Sequence, residues 1–345
     1  MDILSKIKQA NLVGRGGACF PTAEKWLSVA KALESKSAEN KKCYVVCNAA
    51  EGEPGVAKDG YILEHYPEKV IDGINIAINF LLAEKGYIFL NYSYNKKFNK
   101  KLTVLLKNSK IEIFVKPINA GYIGGEESAI LNAIEGMRIE PRLKPPFPTI
   151  KGLWGYPTLI NNVETFHNVS LVEAGRYANK RFYTITGDCL NEGVYELPDD
   201  LTIEKVLNQT ENYPKFPFFV QIGGLASGEA LNSTQLKRQV FGAAGIAVYS
   251  LGKNNYKKVI KNWLNFFVNE SCGQCTPCRE GTYRLNEIFT KEKIDWAMFN
   301  SLLDNLSDTS LCALGSSAPI AIKSFMKNVY PRTKFGKGAY PALNK

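Results

Sequence analysis

Cys272, Cys275 and Cys278 stand at C-x2-C-x2-C spacing in the segment SCGQCTPCRE (271–280), and Cys312 follows 34 residues after the third. A cubane iron–sulfur cluster needs four thiolates converging on its irons. Three closely spaced cysteines can reach three corners, and a remote one closes the fourth. Zinc also accepts four thiolates, but its usual pattern is two separated C-x2-C pairs. The triplet plus one therefore favours a [4Fe–4S] cluster over zinc or over buried structural cysteines, and electron transfer is the chemistry that follows. Arg279 comes directly after the triplet. A cation there would stabilise an anionic cluster, although ordinary helix-surface charge also accounts for it.

Four glycine- or asparagine-rich segments offer a second kind of chemistry. Gly14, Arg15, Gly16 and Gly17 precede Phe20 and Lys25. Glycines admit close approach of a ligand to the backbone, and the two cations can pair with phosphates. No strand precedes this loop, as a Rossmann fingerprint would require. Asn48, Glu51 and Glu53 lie in NAAEGEP (48–54), directly after a strand-like run, where open α/β sheets bind ligands. Tyr122, Gly125, Glu126 and Glu127 lie in GYIGGEES (121–128), ahead of a helix. Their glycines would open the backbone beside a flat ring, while the carboxylates also suit a helix N-terminus. Asn161, Asn162 and Thr165, in NNVET (161–165), sit at a helix start with donors suited to a phosphate or to a simple N-cap. A plain turn explains any one of these loops; four of them with a cluster motif are harder to explain so.

The elements that must position these residues follow from periodicity. Strand-like runs at Cys43–Asn48, Tyr87–Leu90 and Ile111–Val115 alternate with helical patterns at Pro67–Glu84 and Asn95–Asn108, which predicts a layered α/β domain with a largely parallel sheet. Residues 136–160 read as irregular, because RLKPPFP (142–148) contains three prolines. From Arg181 the pattern becomes a small α+β domain, with strands at Phe182–Thr186, Val194–Leu197, Phe218–Ile222 and Ile246–Ser250 and a helix at Thr202–Gln209. Beyond Lys253 the chain reads as helices, at Tyr256–Val268, Arg279–Phe289, Ile294–Leu306 and Pro319–Val329, with the cysteines at their junctions.

The 345 residues are 45% apolar and 22% charged, as in soluble globular proteins, and are enough for two or three domains. The formal net charge of +10 draws on lysines crowded between Lys96 and Lys116. It suits acidic partners or anionic cofactors as well as a solvated surface. No nucleic-acid motif accompanies it. No signal peptide is visible, and the most apolar helix candidate, Val70–Leu82, is interrupted by Asp72, Asn75 and Asn79. A cytoplasmic chain is expected, with no direct membrane insertion and with clustered cysteines used for metal or redox chemistry rather than disulfides.

GRGGACFPTAEKW, NAAEGEPG, GYIGGEESAIL, RLKPPFP, NNVET and SCGQCTPCREG occur in the order found in one family. By these six motifs, from about Ile3 to Val329, the chain resembles the NADH-binding flavoprotein subunit of bacterial NADH dehydrogenase (respiratory complex I), with relatives in NAD-linked hydrogenases and formate dehydrogenases. The resemblance implies a Rossmann-like α/β FMN-binding domain over residues 1–180, a small α+β β-grasp domain over 181–252 and a helical bundle carrying the cluster over 253–345. It implies FMN, NADH/NAD and one [4Fe–4S] cluster, with hydride transfer from NADH to FMN and single electrons passed onward, or the reverse. Gly14, Arg15, Gly16, Lys25, Asn48, Glu51, Gly125, Glu126, Asn161, Asn162 and Thr165 would line the flavin, and Gly17 and Tyr122 would also be cofactor-binding. Phe20 and Phe147 would stack on the adenine, Glu53 and Lys144 would help hold the dinucleotide, and Glu127, the one candidate catalytic side chain, would lie near the nicotinamide. The implied partners are a small thioredoxin-like [2Fe–2S] subunit and a larger iron–sulfur redox subunit, placing the chain at the inner face of a membrane through a larger complex.

Several positions depart from the family pattern. Ala50 stands for the acidic residue of the second motif, Cys19 for a glycine of the first, Ser28 for a second adenine-stacking aromatic and Gly60 for the arginine of a KDR segment. Neither an N-terminal extension nor appended ferredoxin domains accompany the motifs, so a simple architecture is expected. The departures keep open a diverged relay or scaffold subunit with the cluster but weak flavin or NADH binding, and a zinc-stapled binding protein is the remaining alternative.

Overall fold

The computed structural model describes residues 1–35, 41–253 and 255–330. They divide into two units. The first comprises Met1–Gly52 with Ala57–Phe182, and the second Glu53–Val56 with the chain from Tyr183. The 331–345 end of the expected helical segment lies outside the described residues.

In the first unit, helices α1 (Ile3–Gln9) and α2 (Thr22–Glu34) precede strand β1 (Tyr44–Ala49). Helices α3 (Lys58–His65) and α4 (Pro67–Leu81), strand β2 (Lys85–Leu90), helix α5 (Tyr92–Leu105) and strand β3 (Ile111–Val115) follow, then helix α6 (Glu127–Ile134), strand β4 (Thr158–Asn162) and helix α7 (Val163–Glu173). The strands form one sheet in the order β3-β2-β1-β4, and every pairing is parallel. Parallel strands buried on both faces read as apolar runs, which is why β1 and β2 stand out in the sequence. Strand β4 does not. Its sequence, TLINN, ends in two asparagines, and its strand conformation comes from pairing with β1, so the region read as irregular ends at residue 157. That pairing sets Cys47 opposite Asn161 and Asn48 opposite Asn162. It thereby brings two of the sequence motifs side by side at the C-terminal edge of the sheet, the usual place for ligands in open α/β folds.

The second unit holds strands β5 (Lys180–Gly187, whose first residues belong to the first unit), β6 (Gly193–Pro198), β7 (Phe218–Ile222), β8 (Glu229–Asn232) and β9 (Gly245–Ser250), with helix α8 (Ile203–Gln209) between β6 and β7. The sheet order is β6-β5-β9-β7-β8; β5 lies parallel to β9, and β7 antiparallel to both β8 and β9. Alternate strand residues, among them Tyr183, Ile185, Val220, Ile246 and Val248, pack on Ile203, Val206 and Leu207 of α8. Four helices complete the unit: α9 (Tyr256–Glu270), α10 (Thr276–Thr290), α11 (Trp296–Thr309) and α12 (Ala313–Asn328). Helix α12 is tied to β8, where the Ala230 amide donates to Ser324 Oγ at 2.8 Å and Asn328 Nδ2 donates to the Ala230 carbonyl at 2.9 Å. Among the described residues, no helix is long and apolar enough to cross a membrane.

Candidate cofactor sites

The motifs of the first unit meet at the C-terminal edge of its sheet and bind one another. The Arg15 amide donates to Thr165 Oγ1 at 3.0 Å, and the Arg15 guanidinium donates to Tyr177 Oη at 3.1 Å. Asn48 Nδ2 donates to the Gly125 carbonyl at 2.9 Å, while its Oδ1 accepts from the Ala50 amide. Asn161 Oδ1 accepts from the indole N–H of Trp26 at 3.1 Å, and Asn162 caps α7 by accepting from the Glu164 amide. A Cβ built on Gly16 would lie 3.3 Å from Asn162 Cβ, and one on Gly125 would lie 3.6 Å from Ala50 Cβ. Gly52 borders the ring of Tyr122 in the same way, at 3.6 Å. Glycines thus leave bare backbone where the loops converge. Bare backbone of this kind is what close approach of a flat ring would require, and the Arg15 cation and amide side chains are of the type that suits a phosphate-bearing ligand like FMN.

Beneath this surface lies a charged cluster that sequence reasoning did not single out. Lys58 is fully buried and pairs with Asp59 at 2.7 Å and Glu164 at 3.1 Å, and it donates to Asn162 Oδ1 at 2.9 Å. Asn162 Nδ2 in turn donates to Asp59 at 2.6 Å. Glu51 accepts from the amides of Asp59 and Gly60 at 3.0 and 3.2 Å and from the Tyr94 hydroxyl in a short hydrogen bond. Burial alone would strip the Lys58 proton, but Asp59, Glu164 and Glu51 outweigh it and raise its pKa. Three carboxylates face this one cation. Burial, and then the charge of Asp59, push the Glu51 carboxyl up to about 7. Asp59 has the direct lysine contact, whereas Glu51 accepts only from neutral donors.

Gly60 explains how Tyr94 reaches this cluster. A Cβ at position 60 would fall 2.7 Å from the Tyr94 ring and hydroxyl. Tyr94 therefore occupies the space that a side chain at position 60 would need. The adjacent pair Lys58-Asp59 was the sequence signal for the cluster, but nothing local announced its pairing with Glu164.

Near the start of α6 a second charged group forms. Lys25 pairs with Glu127 at 3.1 Å, and Lys144 contacts Glu126 at 2.6 Å and Glu127 at 3.2 Å. Glu126 also caps α6 by accepting from the amides of Ser128 and Ala129. Burial opposes ionisation of Glu127, but Lys25 and Lys144 prevail and hold its carboxyl below the ordinary range. Phe20 and Phe147 are half-exposed, as ligand-stacking aromatics must be. Ser28 bonds Thr149 at 2.9 Å and, with Leu27, Lys31 and Ile150, lines an open groove of about 710 Å³. Cys19 keeps the left-handed backbone (φ 52°) that the glycine it replaces would favour, with its thiol directed at the Gly17 carbonyl. Glu53 belongs to the second unit, where Oε1 accepts from the amides of Ala226 and Ser227, both at 3.1 Å.

In the second unit, Cys275 and Cys312 immediately precede α10 and α12, and neither side chain caps its helix. Cys278 sits in the first turn of α10, where Gly315 of α12 approaches it; a Cβ on Gly315 would lie 3.1 Å from Cys278 Cβ. Two helix N-termini thus converge on the cysteines, and their dipoles favour thiolates and an anionic cluster. Burial pushes the Cys278 thiol up, Ser271 opposes this, and nearby Cys275 and Cys272 add to it. Arg279 donates to the Gly273 carbonyl at 2.7 Å, so it closes the cysteine turn as well as pairing with Glu280. All eight cysteines are unbridged. No three His, Cys, Asp or Glu side chains among the described residues gather closely enough for a single metal ion. A cubane is a larger body with one thiolate per corner, and it asks for a wider set.

Comparison with known proteins bears on both units. Residues 7–171 match the Nuo51 FMN-binding domain, and residues 258–334 match the NADH-ubiquinone oxidoreductase-F iron-sulfur binding region. The F subunit of the NADH-quinone oxidoreductase of Aquifex aeolicus is 32% identical over 363 residues, covering 94% of this chain and 84% of that protein. NAD-reducing hydrogenase HoxS subunit alpha of Cupriavidus necator is 32% identical over 92% of this chain, which spans 58% of that subunit. The crystal structure of an NAD+-reducing [NiFe]-hydrogenase in the H2-reduced state superposes with a TM-score of 0.88 at 28% identity, over 99% of this chain and 63% of the hydrogenase chain. The chain thus spans less than two thirds of these hydrogenase relatives. On the match to the quinone oxidoreductase relatives, which covers most of both sequences, the chain belongs to the F-subunit family of the NADH-quinone oxidoreductases.

Proposed function

We propose that the chain is the NADH-oxidising flavoprotein subunit of a larger redox assembly, with FMN in the first unit and a [4Fe–4S] cluster on Cys272, Cys275, Cys278 and Cys312. The observation that carries this reading is the convergence of four separated motifs on one sheet edge, with Asn48, Gly125, Asn162, Thr165 and Arg15 joined by hydrogen bonds or strand pairing. FMN, when bound, accepts a hydride from NADH and releases the electrons one at a time. The residues of the chain hold and orient. Gly14, Gly16, Gly17 and Gly125 admit the ring; Arg15, Asn161, Asn162 and Thr165 serve the phosphate end. Glu51 and Tyr122 border the ring, and Lys25, Glu126, Glu127 and Lys144 form the charged rim toward the dinucleotide. Phe20 and Phe147 stack on the adenine, and Lys144 helps to hold the dinucleotide. Positioning nicotinamide against flavin is itself a large part of such catalysis.

The finer layout belongs to the same proposal: a Rossmann-like flavin domain over 1–180, a β-grasp domain over 181–252 and a cluster-bearing helical bundle over 253–345. So do a thioredoxin-like [2Fe–2S] partner, a larger iron–sulfur subunit of the complex I, hydrogenase or formate dehydrogenase type, and a cytoplasmic location. Reconstitution of the full chain with FMN, iron and sulfide tests the core of it. One tightly bound FMN and four irons per chain are expected, with the flavin bleached by NADH under anaerobic conditions. Cluster without flavin would favour the relay reading instead.

A further inference from the structure

Ser310 lies beside the helix starts that carry the cysteines. It ends α11 in extended conformation (φ −68°, ψ 138°), two residues before Cys312. Its hydroxyl oxygen is shielded from solvent and has no hydrogen-bond partner among the described residues. A buried hydroxyl left so is destabilising, and an acceptor is expected nearby. Gly315 shows how near that hydroxyl lies to a cysteine. A Cβ on Gly315 would come 2.4 Å from Ser310 Oγ and 3.1 Å from Cys278 Cβ, so the hydroxyl and the cysteine crowd the same point and only glycine fits between them. A second hydroxyl is within reach of the same cysteine, Ser271 Oγ at 3.4 Å from Cys278 Sγ. The hydroxyls of Thr282 and Ser316 are different; they donate to the carbonyls of Cys278 and Cys312 at 2.7 and 3.3 Å.

We propose that Ser310, with Ser271, donates hydrogen bonds to sulfur at the Cys278–Cys312 side of the cluster and thereby sets its reduction potential. The proposal rests on these cysteines holding the [4Fe–4S] cluster. Iron-bound thiolate and sulfide can only accept, so both hydroxyls turn their protons toward sulfur. Uptake of one electron by the bound cluster would add one negative charge, break no bond and move no proton. A hydroxyl dipole aimed at sulfur becomes more favourable when that charge arrives, which raises the potential. Ser310 is a positioning residue here; it ligates no iron.

The test uses the full chain with its cluster reconstituted, comparing wild type, Ser310→Ala and Ser271→Ala. Iron content, the midpoint potential from an EPR-monitored titration, and exchangeable deuteron couplings of the reduced cluster after transfer to D2O are all measured. Expected are four irons per chain throughout, a shift of the potential to lower values in each variant, and loss of one deuteron coupling in Ser310→Ala. An unchanged potential with every coupling retained overturns the proposal. If Ser310→Ala fails to hold its cluster, the wild-type spectrum decides: a coupling assignable to a hydroxyl deuteron supports the proposal, and its absence overturns it. A wild-type chain that holds no four-iron cluster overturns the cluster assignment as well, and iron analysis alone reveals that case.

Discussion

The flavin loops of the first unit and the cysteine turns of the second are built on different principles. In the first unit the parts come from distant points of the chain and complete one another: Arg15 bonds Thr165, Asn48 bonds Gly125, and Lys58 joins Asp59, Glu164 and Asn162. In the second unit three of the four cysteines lie within seven consecutive residues, and the geometry comes from two helix starts rather than from a side-chain network. A network of buried charge should fail as a unit when one member is removed. A set of ligands at helix starts should lose its metal while the surrounding helices persist.

The largest effect expected is in the second unit. Cys275→Ser should abolish the cluster absorbance and drop iron below four per chain, while flavin reduction by NADH persists. Four irons retained would contradict the ligand assignment. Next comes Lys58→Met, which leaves Asp59 and Glu164 buried without their cation. Breaking a buried pair in this way costs about 3–5 kcal/mol, measurable by urea denaturation, and flavin should be lost with it. A change below about 1 kcal/mol would mean that the network does not hold the loops together.

Lys25→Ala probes the rim rather than the interior. A charge-assisted hydrogen bond contributes about 1.5–3 kcal/mol, so the KM for NADH should rise about tenfold or more. An unchanged KM would place the first loop outside the dinucleotide site. The smallest effect is electrostatic. The Glu51 carboxyl is raised from 4.5 to about 7 in the folded chain, so the stability gained by its protonated form is present below pH 4.5 and is lost as pH rises through 7. Glu51→Gln cannot ionise, so the gap in Tm between variant and wild type should widen in the variant's favour over that window. A constant gap would mean that Glu51 titrates normally.

The contrast also explains what could be read from the residues alone. The cysteine set stands out in the sequence because three of its members are closely spaced and its chemistry is restricted to few metals. Strands β1, β2, β3, β7 and β9 were legible as apolar runs, and α9 to α12 by their periodicity. Strand β4 was not, because TLINN owes its strand conformation to pairing with β1. The Lys58 cluster was hidden for the same reason, since its members lie at positions 51, 58, 59, 94, 162 and 164 and meet only when the sheet forms. The meaning of Gly60 depends on Tyr94, 34 residues away, whose ring fills the space a side chain would take. Cys19 shows the reverse: a side chain stands where the family pattern has glycine, yet the loop still holds φ at 52°.

The most direct test of the central claim is an anaerobic titration of the reconstituted chain with NADH, following the flavin and cluster spectra together. The flavin should bleach on addition of NADH and the cluster should gain a one-electron-reduced signal, both without any partner subunit. Full reduction by dithionite with no response of the flavin to NADH would contradict the assignment of this chain as the NADH-oxidising subunit.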